Sequence, residues 1–302
     1  MDGKISNFDQ IASVRRYTLT EGKEAGLDVI ECNNGKIRFL LNVSKALDIM
    51  QLYHKGQNMS FVSKNGFSKR EINFLNRFEG DMLYTCGLDS VGGRDGYELH
   101  GTIHNIPAKI IHMECNEQEI VVEAIINDTS LFGKNLVLKR KITTQINGDY
   151  VEISDTLTNN SFKEEKYCLL YHINVGYPML DEGCKIIADV ISYEPRTVWA
   201  KENENSMYEI SNSVDNQEET CYFLNLMEPE ISLINPKINK KFIVSYSKDT
   251  LPHFLEWKSM ASGDYALGLE PCTTDLDDKF EYKTIMPNES KTFKIRMLIA
   301  EK

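Results

Sequence analysis

The stretch "KYCLLYHINVGYPML", residues 166–180, decides how this chain is read. Leu169, Leu170, Tyr171, Ile173 and Val175 form an apolar, β-branched run closed by Gly176 and Pro178, the pattern of a strand buried on both faces. A strand has a side-chain period of two, so His172 shares a face with Cys168, Leu170 and Asn174, and Tyr171, Ile173 and Val175 point the other way. A histidine there is either a core residue with satisfied hydrogen bonds or part of a polar site set into the sheet.

Outward from this strand, similar runs recur: "KIRFLLNV", "QEIVVEAII", "NLVLKRKIT", "DYVEISDTLT", "CYFLNLM", "KFIVSYS", "YALGLEP" and "FKIRMLIA". They are short, many alternate, and turn signals such as "NNGK", "INGDY" and "MPNES" separate them. Helical periodicity is confined to "VSKALDIMQLYHKG" and "SKREINFLNRF", which predict a few short helices. The class is therefore mainly β. Meandering antiparallel strands in a chain of 302 residues are expected to form two large sheets packed face to face. No linker, repeat or low-complexity segment divides the sequence, so one domain over residues 1–302 is expected. The polar stretch 200–220 reads as a solvated excursion, a surface loop or a lid.

A net charge of −11 opposes general binding to nucleic acid or an anionic membrane surface. The N-terminal stretch has no apolar core suited to a signal sequence, and no later apolar run approaches the roughly 20 residues that span a bilayer. A soluble, cytoplasmic chain is the expectation. The seven cysteines are scattered singly, without the spacing of a zinc knuckle or redox dithiol, and read as reduced, buried small hydrophobes.

A second strand, "DYALGLEPC" at 264–272, puts Tyr265, Leu267 and Leu269 on one face and Ala266, Gly268 and Glu270 on the other. Small side chains beside a carboxylate leave room above the sheet, which favours a cleft; the other reading is a glutamate that binds turn amides at a strand exit. A third segment, "GGRDGYELHGTIHNIPAKIIHME" at 92–114, gives Glu98, His100, Thr102 and His104 a common parity. Its ligand spacing suits a metal site poorly, and no metal or other cofactor is expected. A histidine and a glutamate facing one another can act as general acid and base. Sugars are a natural client, and Tyr97, Tyr171, Trp199 and Trp257 are candidates to stack on a sugar's apolar face.

The segments "YTCGLDSVGG", "ELHGTIHNIPA", "YHINVGYPMLDEG" and "LGLEPCTTD", in this order, resemble a bacterial branch of the aldose 1-epimerase (galactose mutarotase-like) superfamily over roughly residues 30–300. The resemblance implies a β supersandwich with a cofactor-free active site in its concave face. It places the catalytic acid at His172 and the catalytic base at Glu270, and gives His100, in "LHG", the task of holding sugar oxygens. Arg94 lies near that segment and is a candidate for substrate binding, as are Asn174, His104 and Lys45. Lys45, in "SKALDI", stands where the branch usually has arginine, and His104 stands where a small polar residue is common. The implied activity is interconversion of sugar anomers by ring opening and reclosure, acting on a sugar or sugar derivative, and a homodimer is compatible with it. Two other readings stay open: a non-catalytic carbohydrate-binding or sensing protein, and a metal-dependent sugar isomerase using His100, His104 and Glu98.

Overall fold

A computed structural model describes residues 3–301, so the outermost ends of the expected 1–302 span lie outside the described residues. Strands between Ser13 and Asn58 form a five-stranded antiparallel meander. A second antiparallel sheet of thirteen strands takes in the rest of the chain. In it the strand Glu165–Val175 lies next to Asp264–Cys272, followed by His253–Ala261 and Thr220–Asn235. Tyr84–Leu88 pairs with the other edge of Glu165–Val175, over the register His172 with Tyr84.

The alternation read from the sequence is the alternation of two cores. Tyr171, Ile173, Val175, Leu267 and Leu269 join the main core between the sheets, together with Phe39, Leu41, Phe242 and Ile295. On the opposite face Cys168 and Leu170 pack with Tyr84, Cys86, Cys221, Leu255 and Cys272. Removal of such surface from water contributes about 25 cal/mol per Å², so sliding either strand by one residue would exchange its two faces and forfeit that burial.

The helix expected in "VSKALDIMQLYHKG" is not formed. Ala46 and Leu47 take φ of 50° and 57°, a turn, and Asp48–His54 is a strand. Burial of Ile49 and Leu52 with the main core outweighs the weak helical preference of the segment. In "SKREINFLNRF" one short helix, Phe74–Arg77, does form, with Asn73 as its N-cap. No described helix is long and apolar enough to cross a membrane. All seven cysteines are free, and six are buried. Burial pushes the Cys86, Cys221 and Cys272 thiols up, which leaves them un-ionised and poor nucleophiles.

Candidate active site

The pairing of Glu165–Val175 with Asp264–Cys272 sets the centre of the site. Ile173 stands opposite Leu269 and Leu170 opposite Cys272, a register that brings His172 across from Glu270. His172 Nε2 and Glu270 Oε1 face each other at 3.2 Å. They are too poorly aligned for a hydrogen bond, and neither this oxygen nor His172 Nδ1 has another partner among the described residues. Gly268 makes the arrangement sterically feasible: a Cβ there would overlap Glu270 Oε1 and stand 3.1 Å from His172 Cε1. The space predicted above the Ala–Gly row is thus taken up by the Glu270 and His172 side chains.

Burial governs the protonation of both groups. It pushes the Glu270 carboxyl well above the usual carboxylate range, reinforced by Glu219 and opposed by Arg196. It pulls His172 well below its ordinary value, and the nearby His100 acts in the same direction. Without substrate, burial therefore favours the uncharged form of the pair, a carboxylic acid beside a neutral imidazole, with one proton on the two groups in total.

His100 reaches the site from a loop, so the parity it shares with Glu98 and His104 in the sequence does not put the three on one strand face. It has φ of 64°, its backbone N–H donates to Gly92 O at 3.2 Å, and its Nδ1 accepts from the Gly92 N–H at 3.4 Å. That acceptor role puts the proton of the neutral ring on Nε2, the edge left to the cavity. Burial, with Arg196 and Arg77 adding to it, lowers His100 to about 4. The His100 and His172 rings meet edge to face with centroids 5.4 Å apart.

These side chains line a cavity of about 710 Å³. Trp257 stands edge-on to His172 at 5.5 Å, and its indole N–H donates to Glu219 Oε2 at 2.7 Å. Phe78 flanks His172 at 5.7 Å and Phe74 flanks His100 at 5.1 Å. Arg196 enters from the far side with its Nε and Nη2 donating to Asp277 at 2.6 and 2.9 Å. Lys64 and Asp264 form an ion pair of 2.7 Å in the wall. A cavity of this kind, with aromatic walls and a few convergent polar groups, has the character of a small-molecule site.

Among the residues singled out in the sequence, His172, Glu270, His100 and Trp257 come together at this cavity. The remaining binding candidates are held elsewhere. Lys45, only 3 % exposed, donates to Asn105 Oδ1 at 3.1 Å. His104 is fully buried between Asp48 and Glu79 and stacks on Tyr84 at 3.8 Å. Asn174 directs its Nδ2 to Gly80 O at 2.6 Å, and Arg94 stacks on Phe280 at 3.8 Å and donates to Tyr282 Oη at 2.9 Å. Tyr171 faces the main core, where its hydroxyl donates to Asp155. Glu98 is bound to Arg77 and to the Phe74 N–H, so Glu98, His100 and His104 are turned to different partners. Sequence reasoning missed Arg196, Glu219, Phe74 and Phe78. Arg196 lies just before the polar excursion and Glu219 near its end, and no periodic pattern marks any of the four as lining one cavity.

A family model described as "Domain of unknown function (DUF4432)" matches residues 24–298. No curated protein matches the chain. Among solved structures, a "putative aldose 1-epimerase" from Klebsiella pneumoniae superposes with a TM-score of 0.89 at 20 % identity, covering 98 % of this chain and 87 % of that one. A galactose mutarotase-like protein from Clostridium acetobutylicum gives 0.71 at 14 % identity, with 97 % and 100 % covered. One from Lactobacillus casei gives 0.63 at 12 %, with 90 % and 100 % covered. At these identities the likeness establishes the fold, a galactose mutarotase-like β-sandwich.

Proposed function

Given that this chain belongs to the Domain of unknown function (DUF4432) family and has a galactose mutarotase-like fold, we propose that it is an isomerase that interconverts the anomers of a sugar or sugar derivative. The observation that carries the reading is the His172–Glu270 pair, 3.2 Å apart across two strands at the floor of an aromatic-walled cavity. A protein that only binds sugar has no need of an acid and a base so joined.

In the reacting state the shared proton is on His172 and Glu270 is a carboxylate. Glu270 accepts the proton of the C1 hydroxyl, the bond from C1 to the ring oxygen breaks as C1 becomes a carbonyl carbon, and His172 gives its proton to the departing ring oxygen. The pair is then a carboxylic acid beside a neutral imidazole, the form that burial favours, so the site is electrostatically suited to the open-chain aldehyde. Rotation about the C1–C2 bond and the reverse proton transfers close the ring as the other anomer. His100 Nε2–H donates to a sugar oxygen and holds the ring over the pair, and Trp257, Phe74 and Phe78 supply apolar surface for its C–H faces.

Saturation-transfer NMR between anomeric protons, run over aldoses, ketoses and their phosphates, tests this. At least one sugar should exchange faster with the protein than in buffer. Glu270→Gln and His172→Gln should each slow that exchange by about 10² to 10⁴, with calorimetric affinity little changed. Sugar binding without accelerated exchange would make the chain a sensing or binding protein, and wild-type exchange in both variants would move the chemistry elsewhere.

A further inference from the structure

Away from the cavity lining, a buried polar cluster takes no part in the proposed reaction. Glu79, Asp81 and His104 are at most 1 % exposed, and one donor atom from each lies within 4.8 Å of the others. His104 Nδ1 is 2.7 Å from Asp48 Oδ2, and that carboxylate also accepts from the Thr85 N–H at 2.7 Å and pairs with Arg140. An ionised Asp48 has no proton to give, so Nδ1 donates, and Nε2 lies 3.2 Å from Glu79 Oε2, where it either donates to that carboxylate or turns its lone pair to an ion between them. A carboxylate behind the distal nitrogen is how proteins orient a metal-binding imidazole.

The remaining groups leave a site for positive charge. Both Asp81 carboxylate oxygens lack a hydrogen-bond partner although the residue is wholly buried. Glu79 commits Oε1 to the Ser68 N–H at 3.3 Å and keeps Oε2 toward His104. Lys45, the adjacent cation, gives its ammonium to Asn105 and makes no ion pair with either acid among the described residues. The 3.2 Å between His104 Nε2 and Glu79 Oε2 is close to the roughly 3.3 Å that separates two atoms each about 2.0 Å from a tetrahedral zinc.

We propose that Glu79, Asp81 and His104 hold one divalent cation of the zinc or manganese type. Two carboxylates and an imidazole suit these ions better than copper(I), which favours thiolate, or calcium, which favours oxygen alone. The ion does not touch substrate. It pins the segment that carries Phe78 to the turn Ile103–Asn105, and the proposal is independent of the reaction assigned to the cavity.

The test uses untagged, full-length protein from cells grown with added zinc and manganese, followed by refolding with Co²⁺. Elemental analysis should find about one equivalent per chain, and zinc or manganese added during refolding should raise the melting temperature by several degrees. Asp81→Asn and His104→Gln should lower the bound metal at least tenfold, whereas His100→Gln, which alters the cavity, should retain it. Where those variants do not fold, the Co²⁺-loaded wild type decides through visible bands of nitrogen and oxygen ligation. Metal content far below one equivalent with no change in melting temperature, or full metal retention in Asp81→Asn and His104→Gln, would overturn the proposal and leave a proton in the ion's place.

Discussion

Gly268 touches no proton, yet the acid and the base depend on it. A methyl group there would overlap Glu270 Oε1 and crowd His172, and its φ lies outside the left-handed region, so Gly268→Ala meets a steric conflict and no backbone strain. The variant should fold and melt near the wild type while its anomer exchange falls by about 10², the usual result of displacing a reacting group by an ångström. Exchange spectroscopy and a thermal melt on the same sample check both halves. The pair also fixes the pH dependence. On the proposed mechanism activity needs one proton on the pair, and burial holds Glu270 above and His172 below their ordinary values. The rate constant kcat/KM should therefore be bell-shaped in pH. It should fall on the acid side, below the ordinary histidine value of 6.5, when a second proton binds. It should fall on the alkaline side when the shared proton leaves. An acid limb at or above the ordinary histidine value of 6.5 would contradict the burial argument. His172 and Glu270 were legible in the sequence because strand parity and small neighbours gave each a face; that His104 is enclosed by Asp48 and Glu79 was not, because those partners come from distant segments.

The polar excursion at 200–220 is an element anchored from beneath. Met207 and Ile210 enter the main core, and the Lys258 ammonium donates to the carbonyls of Ser206, Met207 and Glu209 while pairing with Glu256 at 2.9 Å. Both members of that pair are buried, at 2 % and 0 % exposure of their side chains. Lys258→Met removes the anchor and leaves Glu256 without its counter-ion, which should cost about 3–5 kcal/mol. Denaturant melts should show that loss, and limited proteolysis should move to the excursion. Adding Glu256→Gln should recover part of the stability, because the stranded charge is then gone. Composition marked this stretch as surface without revealing Lys258 as its anchor, since alternation says which way a lysine points but not which carbonyls it meets. The segment "VSKALDIM" failed for a related reason: a helical period and the start of an alternating strand coincide over so few residues, and the turn at Ala46 and Leu47 chooses between them.

For the whole molecule, the fold was more legible than the site. The class follows from repeated alternation, which every strand reports locally, whereas Arg196 and Glu219 reach the cavity through tertiary placement alone. Global stability inherits the site's electrostatics. His100 in the folded chain is lowered to about 4 from 6.5, so its contribution is fully present above pH 6.5 and is lost as pH falls through about 4, where the unfolded chain binds the proton more readily. His172 acts in the same sense. Melting temperature should drop across that window, and His100→Gln should make the drop shallower. The acid and base are seated on paired strands, while much of the cavity wall comes from connecting segments around residues 61–65, 74–78, 92–100 and 196. On the proposed reaction, this separation would make substrate preference heritable apart from catalysis. Recombination or drift in the connectors can retune which sugar enters, and a chimaera that carries a relative's 61–78 segment should exchange a different set of sugars with an unaltered pH profile.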